Sequence, residues 1–289
     1  MSQDTNNISI IGYASGNAAQ DNSCCMGPII MEKSDKLTNT TWLGQIYPTD
    51  SCKQLGAIDS TFNCCQKLAQ HTMSLTQNNK QFVVIGGDHS CAIGTWSGAS
   101  AAKESPIGMI WIDAHLDAHN NITSKTKNIH GMALSSLIDN GPKKLNNLII
   151  AGAKIDCKNL VIIGARDYET EEQELLTQLG VKIFYMNEIV DKGLNFVFKQ
   201  ALQIATANKN GFGISIDIDG LDPNHAPATA ITSSPGIVPE ELIHEFKTTL
   251  QQHKHKLIGL EIAEFFPDFD KNCLTEQVIV DLIEAAYRS

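Results

Sequence analysis

The sequence predicts a three-layer α/β fold built as one domain over residues 1–289, and three observations carry that expectation. Short apolar runs recur along the chain, amphipathic segments separate them, and the chemically reactive residues fall directly after the runs.

The runs lie at 8–12, 82–86, 107–112, 160–164, 181–185, 212–216 and 257–262, with 148–150 as a weaker eighth. Most are apolar at every position rather than at alternate ones, the pattern of strands covered on both faces in a parallel sheet. Between them, Asp59 is placed to cap a helix running to about Leu75, and amphipathic periods mark 171–179, 194–205 and 240–252. Thr275 is placed to cap a last helix that turns Val278, Ile279, Leu282, Ile283 and Ala286 inward. In folds of this kind ligands bind at the carboxyl ends of the strands.

Composition narrows the function. With 42% apolar and 19% charged residues the chain can bury a substantial core. No stretch reaches the roughly 18 uncharged apolar residues of a membrane span. Met1 to Asn7 lacks the basic residues and apolar stretch of a secretory signal, so a cytoplasmic location is expected. A formal net charge of −10 speaks against nucleic acid and anionic membranes as partners. The eight cysteines form no C-x-x-C pair and are expected to be reduced thiols, mostly small core residues.

Three segments stand out, each directly after a strand: Gly86-Gly87-Asp88-His89-Ser90, Asp113-Ala114-His115-Leu116-Asp117 and Ser215-Ile216-Asp217-Ile218-Asp219. In extended chain, residues two apart point the same way, which projects Asp113, His115 and Asp117 together and Asp217 with Asp219. Each segment alone reads as a turn or a helix cap. Together they crowd carboxylates at strand ends, which is unfavourable unless cations neutralise them. Asp113, Asp117, Asp217 and Asp219 carry four negative charges, so charge balance points to two divalent ions. A carboxylate-rich set with His89 and His115 suits Mn²⁺, Fe²⁺ or Co²⁺ better than Ca²⁺, and does not suit a tetrahedral structural zinc.

On these motifs the chain resembles the ureohydrolase (arginase/agmatinase) family, with arginase-like features most prominent. Gly-Gly-Asp-His-Ser, Asp-Ala-His-x-Asp and Ser-x-Asp-x-Asp-x-x-Asp-Pro occur in family order and spacing across nearly the whole length. The resemblance implies an αβα fold around a mostly parallel eight-stranded sheet and a binuclear Mn²⁺ centre, with Co²⁺ as a substitute. His89, Asp113, Asp117 and Asp217 would hold one ion. His115, Asp113, Asp217 and Asp219 would hold the other, with Asp113 and Asp217 bridging. Asn128-Ile129-His130-Gly131 resembles the segment of an active-site histidine, and Leu260-Glu261-Ile262-Ala263-Glu264 that of a guanidinium-binding glutamate. Gly164-Ala165-Arg166-Asp167-Tyr168-Glu169 resembles the segment whose acidic residue meets a substrate α-ammonium.

The implied activity is hydrolysis of a small guanidino substrate to urea and an amine. Two cations make hydroxide available near neutral pH. Glu264 orients the guanidinium through charge-assisted bonds. Asp117 passes a proton to the leaving nitrogen and His130 exchanges protons with solvent. Asn120 to Asn128 forms a donor-rich rim, including Ser124, Lys125, Thr126, Lys127 and Asn128, suited to a carboxylate. His119 and Glu169 join the substrate contacts, although Glu169 could equally be a helix N-terminal charge. A zwitterionic amino-acid head fits both ends, which favours L-arginine. Agmatine comes second, other guanidino acids or formiminoglutamate third, and a non-catalytic metal-binding relative last.

Several positions depart from the arginase pattern: His119 replaces an Asn, Thr126-Lys127 a Ser-Gly, Ile231 a Thr and Phe266 an Asn. Motif order speaks against a metallophosphoesterase, and His89 with Asp117 against a single-zinc deacetylase of the same fold. The resemblance leaves room for a homo-oligomer.

Overall fold

The computed structural model describes residues 7–288. Met1 to Asn6, most of the segment read as lacking a secretory signal, lies outside the described residues. The strands are β1 (Ile8–Tyr13), β2 (Thr40–Ile46), β3 (Phe82–Gly86), β4 (Ile107–Ile112), β5 (Ile155–Ala165), β6 (Lys182–Tyr185), β7 (Phe212–Asp217) and β8 (Leu257–Ala263). They form one sheet in the order β2-β1-β3-β8-β7-β4-β5-β6, with every pair parallel.

Among the described residues the α-helices are α1 (Met26–Lys33), α2 (Ile58–Gln77), α3 (Cys91–Lys103), α4 (Ala133–Leu137), α5 (Lys143–Asn146), α6 (Thr170–Gln178), α7 (Met186–Lys192), α8 (Leu194–Ala205) and α9 (Pro239–Thr248), with α10 (Leu274–Tyr287) after the last strand. The pleat divides each central strand between two cores. In β4, Ile110 and Ile112 join the α8, α9 and α10 side, while Met109 and Trp111 join the α2 and α3 side. Both faces are therefore covered, which is why these strands are apolar at every position.

In β7 the second face is Gly213 and Ser215. A Cβ on Gly213 would lie 2.2 Å from the Trp96 ring, so glycine lets α3 close onto the sheet. Among the described residues no helix is long and apolar enough to cross a membrane. All eight cysteines are free.

Four expectations are corrected. The weak eighth strand at 148–150 is a turn in which Ile149 has φ 62°; the eighth strand is β2. Asp59 does not cap α2 but lies in its first turn. The helix expected over 240–252 ends at Thr248 and continues as a 3₁₀ stretch, Leu250–Lys256. Thr275 does not cap α10: its hydroxyl accepts the Ala228 N–H at 3.1 Å. Asp270 takes the free N–H groups of Thr275 and Glu276, both at 2.9 Å, and so does the capping.

Candidate active site

The reactive segments follow β3, β4, β7 and β8, four adjacent strands at the centre of the sheet. Beyond β3, Gly87 must pack under Ser15, whose carbonyl would lie 2.1 Å from an added Cβ. That contact directs the chain so that His89 turns inward, fully buried.

His89 Nδ1 lies 3.3 Å from Asp113 Oδ2, 3.1 Å from Asp117 Oδ2 and 3.2 Å from Asp217 Oδ2. His115 Nδ1 lies 3.0 Å from Asp219 Oδ2 and 3.5 Å from Asp113 Oδ1. All six residues expected as ligands thus converge, with Asp113 common to two ligand groups: His89, Asp113, Asp117 and Asp113, His115, Asp219. The route differs from the expected extended alternation. Asp117 sits at φ 47°, and Asp219 lies on a 3₁₀ turn whose N–H donates to Asp217 Oδ1 at 2.9 Å. A left-handed aspartate costs on the order of 1 kcal/mol or more and persists where the surroundings over-determine it.

Two tests on the geometry bear on a cation. Although they lie 3.1 Å apart, His89 Nδ1 and Asp117 Oδ2 make no hydrogen bond and are each buried without a partner, which is costly for such groups. In an octahedral shell with bonds of about 2.1 Å, neighbouring ligand atoms lie about 3 Å apart, the spacing these atoms have. The residues fit divalent cations.

Electrostatics agree. Burial pushes the carboxyls of Asp117, Asp217 and Asp219 up; neighbouring carboxylates, Asp113 for all three and Asp219 for Asp217, add to it. Burial works against protonated His89 and His115, but the surrounding aspartates raise both well above the usual imidazole range. The cluster by itself gathers protons, and a bound cation replaces them.

The imidazoles are held from behind. His89 Nε2 meets Ser215 Oγ at 2.9 Å, and that hydroxyl donates to Glu261 Oε1 at 2.8 Å. His89 also stacks on Trp111, whose Nε1 donates to Asp113 Oδ2 at 2.9 Å. With Nε2 engaged, Nδ1 is left to face the carboxylates. Arg166 closes the base by donating to the carbonyls of Gly164, Asp219, Gly220, Leu221 and Ser233. Sequence reasoning missed Ser215, Glu261 and Trp111 as parts of the site. For Ser215 and Glu261 the available signal was a polar residue inside an otherwise apolar run, 212–216 and 257–262.

Glu264 also has a left-handed backbone, φ 62°. Its Oε1 accepts from the His89 N–H at 2.9 Å and meets His130 Nδ1 at 3.0 Å. Burial works against protonated His130, but Glu264 carries its pKa up to about 9. Asp88 does not face the cluster; it ties Ala18 and Ser90 to the loop, and burial, then Glu264, pushes its carboxyl up to about 6.

The expected substrate-side residues form a rim. His119 Nε2 lies 3.5 Å from Glu169 Oε2 and 3.4 Å from Glu172 Oε2. Ser124 is buried and accepts the Lys127 N–H at 3.0 Å, whereas Thr126 is exposed. The carboxamide oxygen of Asn128 is buried without a partner. Glu169 is the N-cap of α6, in a capping box with Glu172, so the helix-charge alternative describes part of its role. Ile231 is half exposed and Phe266 buried against Phe269.

Comparison with known proteins gives a consistent result. The Arginase family profile matches residues 6–287. The chain is 33% identical to an arginase of Brevibacillus brevis over 230 residues, 80% of this chain and 76% of that one. It is 34% identical to an arginase of Bacillus subtilis strain 168 over 233 residues, 81% and 77% of the two chains. The crystal structure of arginase from B. subtilis strain 168 superposes with a TM-score of 0.90 at 31% identity, covering 98% of this chain and 99% of that one.

Proposed function

The chain belongs to the arginase family of metal-dependent hydrolases acting on guanidino or amidino C–N bonds, and on that premise we propose that it hydrolyses L-arginine to L-ornithine and urea with two Mn²⁺ ions, residues 1–289 serving as one hydrolase domain. The observation that carries this reading is the pair of ligand groups sharing Asp113, with the Glu264–His130 pair directly beside them.

His89, Asp113, Asp117 and Asp217 would hold one ion, and Asp113, His115, Asp217 and Asp219 the other. When bound, the ions supply activation of water near neutral pH. Glu264 has one oxygen fixed by His89 and His130, which leaves the other to accept a guanidinium N–H. Two divalent ions would offset the four aspartates and leave Glu264 as an added negative charge, so a cation is the substrate the site is built to receive. Asp117, through the carboxylate oxygen not turned to His89, would take a proton from the attacking water and pass it to the departing amine, and urea remains. His130, about a quarter exposed, returns protons between the site and solvent. At the rim, His119, Ser124, Thr126 and Asn128 serve the α-carboxylate and Glu169 the α-ammonium. Free cysteines throughout suit the reducing cytoplasm, the expected location.

The test is a panel of L-arginine, agmatine and formiminoglutamate assayed for urea after loading with Mn²⁺, Co²⁺ or Zn²⁺. L-Arginine with Mn²⁺ should release the most. Faster release from agmatine would sink the choice of substrate, and Asp117→Ala should lose one ion by metal analysis.

A further inference from the structure

At the rim, Glu169 Oε2 is faced by two nitrogen groups of the chain itself. The ammonium of Lys125 lies 3.0 Å away and His119 Nε2 3.5 Å away. His119 is fixed there, since its Nδ1 meets Thr123 Oγ1 at 3.1 Å. Glu172 Oε1 accepts the Ala118 N–H at 2.9 Å, tying the start of α6 to the loop that carries Asp117. The carboxylate that would receive a substrate ammonium therefore already has an ion-pair partner.

We propose that Lys125, seconded by His119, competes with the substrate α-ammonium for Glu169 and so sets the head-group preference of this chain. The inference rests on the reading of Glu169 as the ammonium contact in the proposed function. An incoming α-ammonium has to displace the Lys125 ammonium before it gains Glu169. A substrate carboxylate displaces nothing and can take Lys125 as its own partner. The two halves of an amino-acid head are thus weighted unequally, toward the carboxylate. Lys125 is largely exposed, and solvent-exposed ion pairs are weak, so the bias is about two- to fivefold. It shrinks as salt screens the pair.

Three guanidino compounds separate the contributions: L-arginine has both head groups, agmatine only the ammonium, and 5-guanidinopentanoate only the carboxylate. In the metal-loaded full chain, Lys125→Thr should lower KM about two- to fivefold for agmatine, lower it less for L-arginine, whose carboxylate loses Lys125 as a partner, and not lower it for 5-guanidinopentanoate. Lys125→Arg should keep the wild-type ratios. In a Glu169→Gln background, Lys125→Thr should no longer change the ratio of L-arginine to 5-guanidinopentanoate. A uniform change in all three KM values, or none, overturns the competition while leaving the proposed function intact. Urea from none of the three compounds overturns the functional reading and this inference with it.

Discussion

At the carboxyl ends of β3, β4, β7 and β8 the chain gathers Asp113, Asp117, Asp217, Asp219 and Glu264 within a few ångströms of His89, His115 and His130. At the amino ends of the same sheet lies an open groove of about 1340 Å³, bordered by Lys80, Lys103, Lys209, Lys254 and Lys256. The groove is roomy, yet among the described residues it gathers no group of metal-ligand atoms. Lys254 and Lys256 spend their ammonium groups on the carbonyls of Tyr287 and Thr206, at 2.5 and 2.9 Å. Convergence of partnerless buried atoms marks the reactive end. The opposite charges of the two ends also keep the cations away from ligands that a metal must reach.

The largest way to break this contrast is Asp217→Ala. Loss of an assigned ligand should remove metal and cut urea release by more than about a thousandfold, because water activation goes with it. At the other end, Lys80→Ala with Lys209→Ala should change activity less than about twofold, as surface substitutions do. A comparable loss from the lysine pair would erase the distinction. His130→Ala should lower kcat by about 10²–10⁴ while metal content, read by atomic emission, stays at wild type. Stripped metal would reassign His130 from proton carrier to ligand support.

Between the two ends, Trp96→Ala should cost about 3–5 kcal/mol in denaturant unfolding, since its ring fills the space over Gly213. Metal bound per folded molecule should not change.

A pH-dependent effect on stability concerns Lys154, which is fully buried and donates to the carbonyls of Asn146 and Gly152. Burial draws its pKa down to about 8. The unfolded chain, titrating near 10.5, then binds more protons between those values. Stability from this group therefore rises with pH from about 8 to 10.5, by at most about 1.4 kcal/mol per unit. Urea unfolding of wild type against Lys154→Met across that window measures it. An identical pH slope in both proteins would mean that Lys154 does not carry the effect.

Legibility in the sequence followed burial. The six inner strands announced themselves because both faces are covered and the edge strand β6 through buried Ile183 and Phe184, whereas the edge strand β2 has mostly partly buried and exposed positions with Gly44 among them. The helix α3 is buried at ten of its positions, from Cys91 to Ser100, and so lacks the polar face that an amphipathic period needs. The expected ligands were legible because carboxylate and imidazole at strand ends have few other uses. Ser215 and Glu261 were not, because a hydroxyl bridging His89 to a carboxylate depends on the register of β7 against β8, where Ser215 pairs with Glu261. Glu169 was ambiguous for a physical reason: a helix N-cap and an ammonium acceptor call for the same side chain.

The strand order has a consequence for synthesis. β8, the last strand in the chain, is inserted between β3 and β7 at the middle of the sheet. Until Leu257–Ala263 leaves the ribosome, two inner strands each present an unpaired edge of the kind that invites intermolecular pairing. Glu264 and the seat for the His89 N–H arrive with that same strand. A nascent chain shortened by its final few dozen residues would hold every expected metal ligand and still have no finished site.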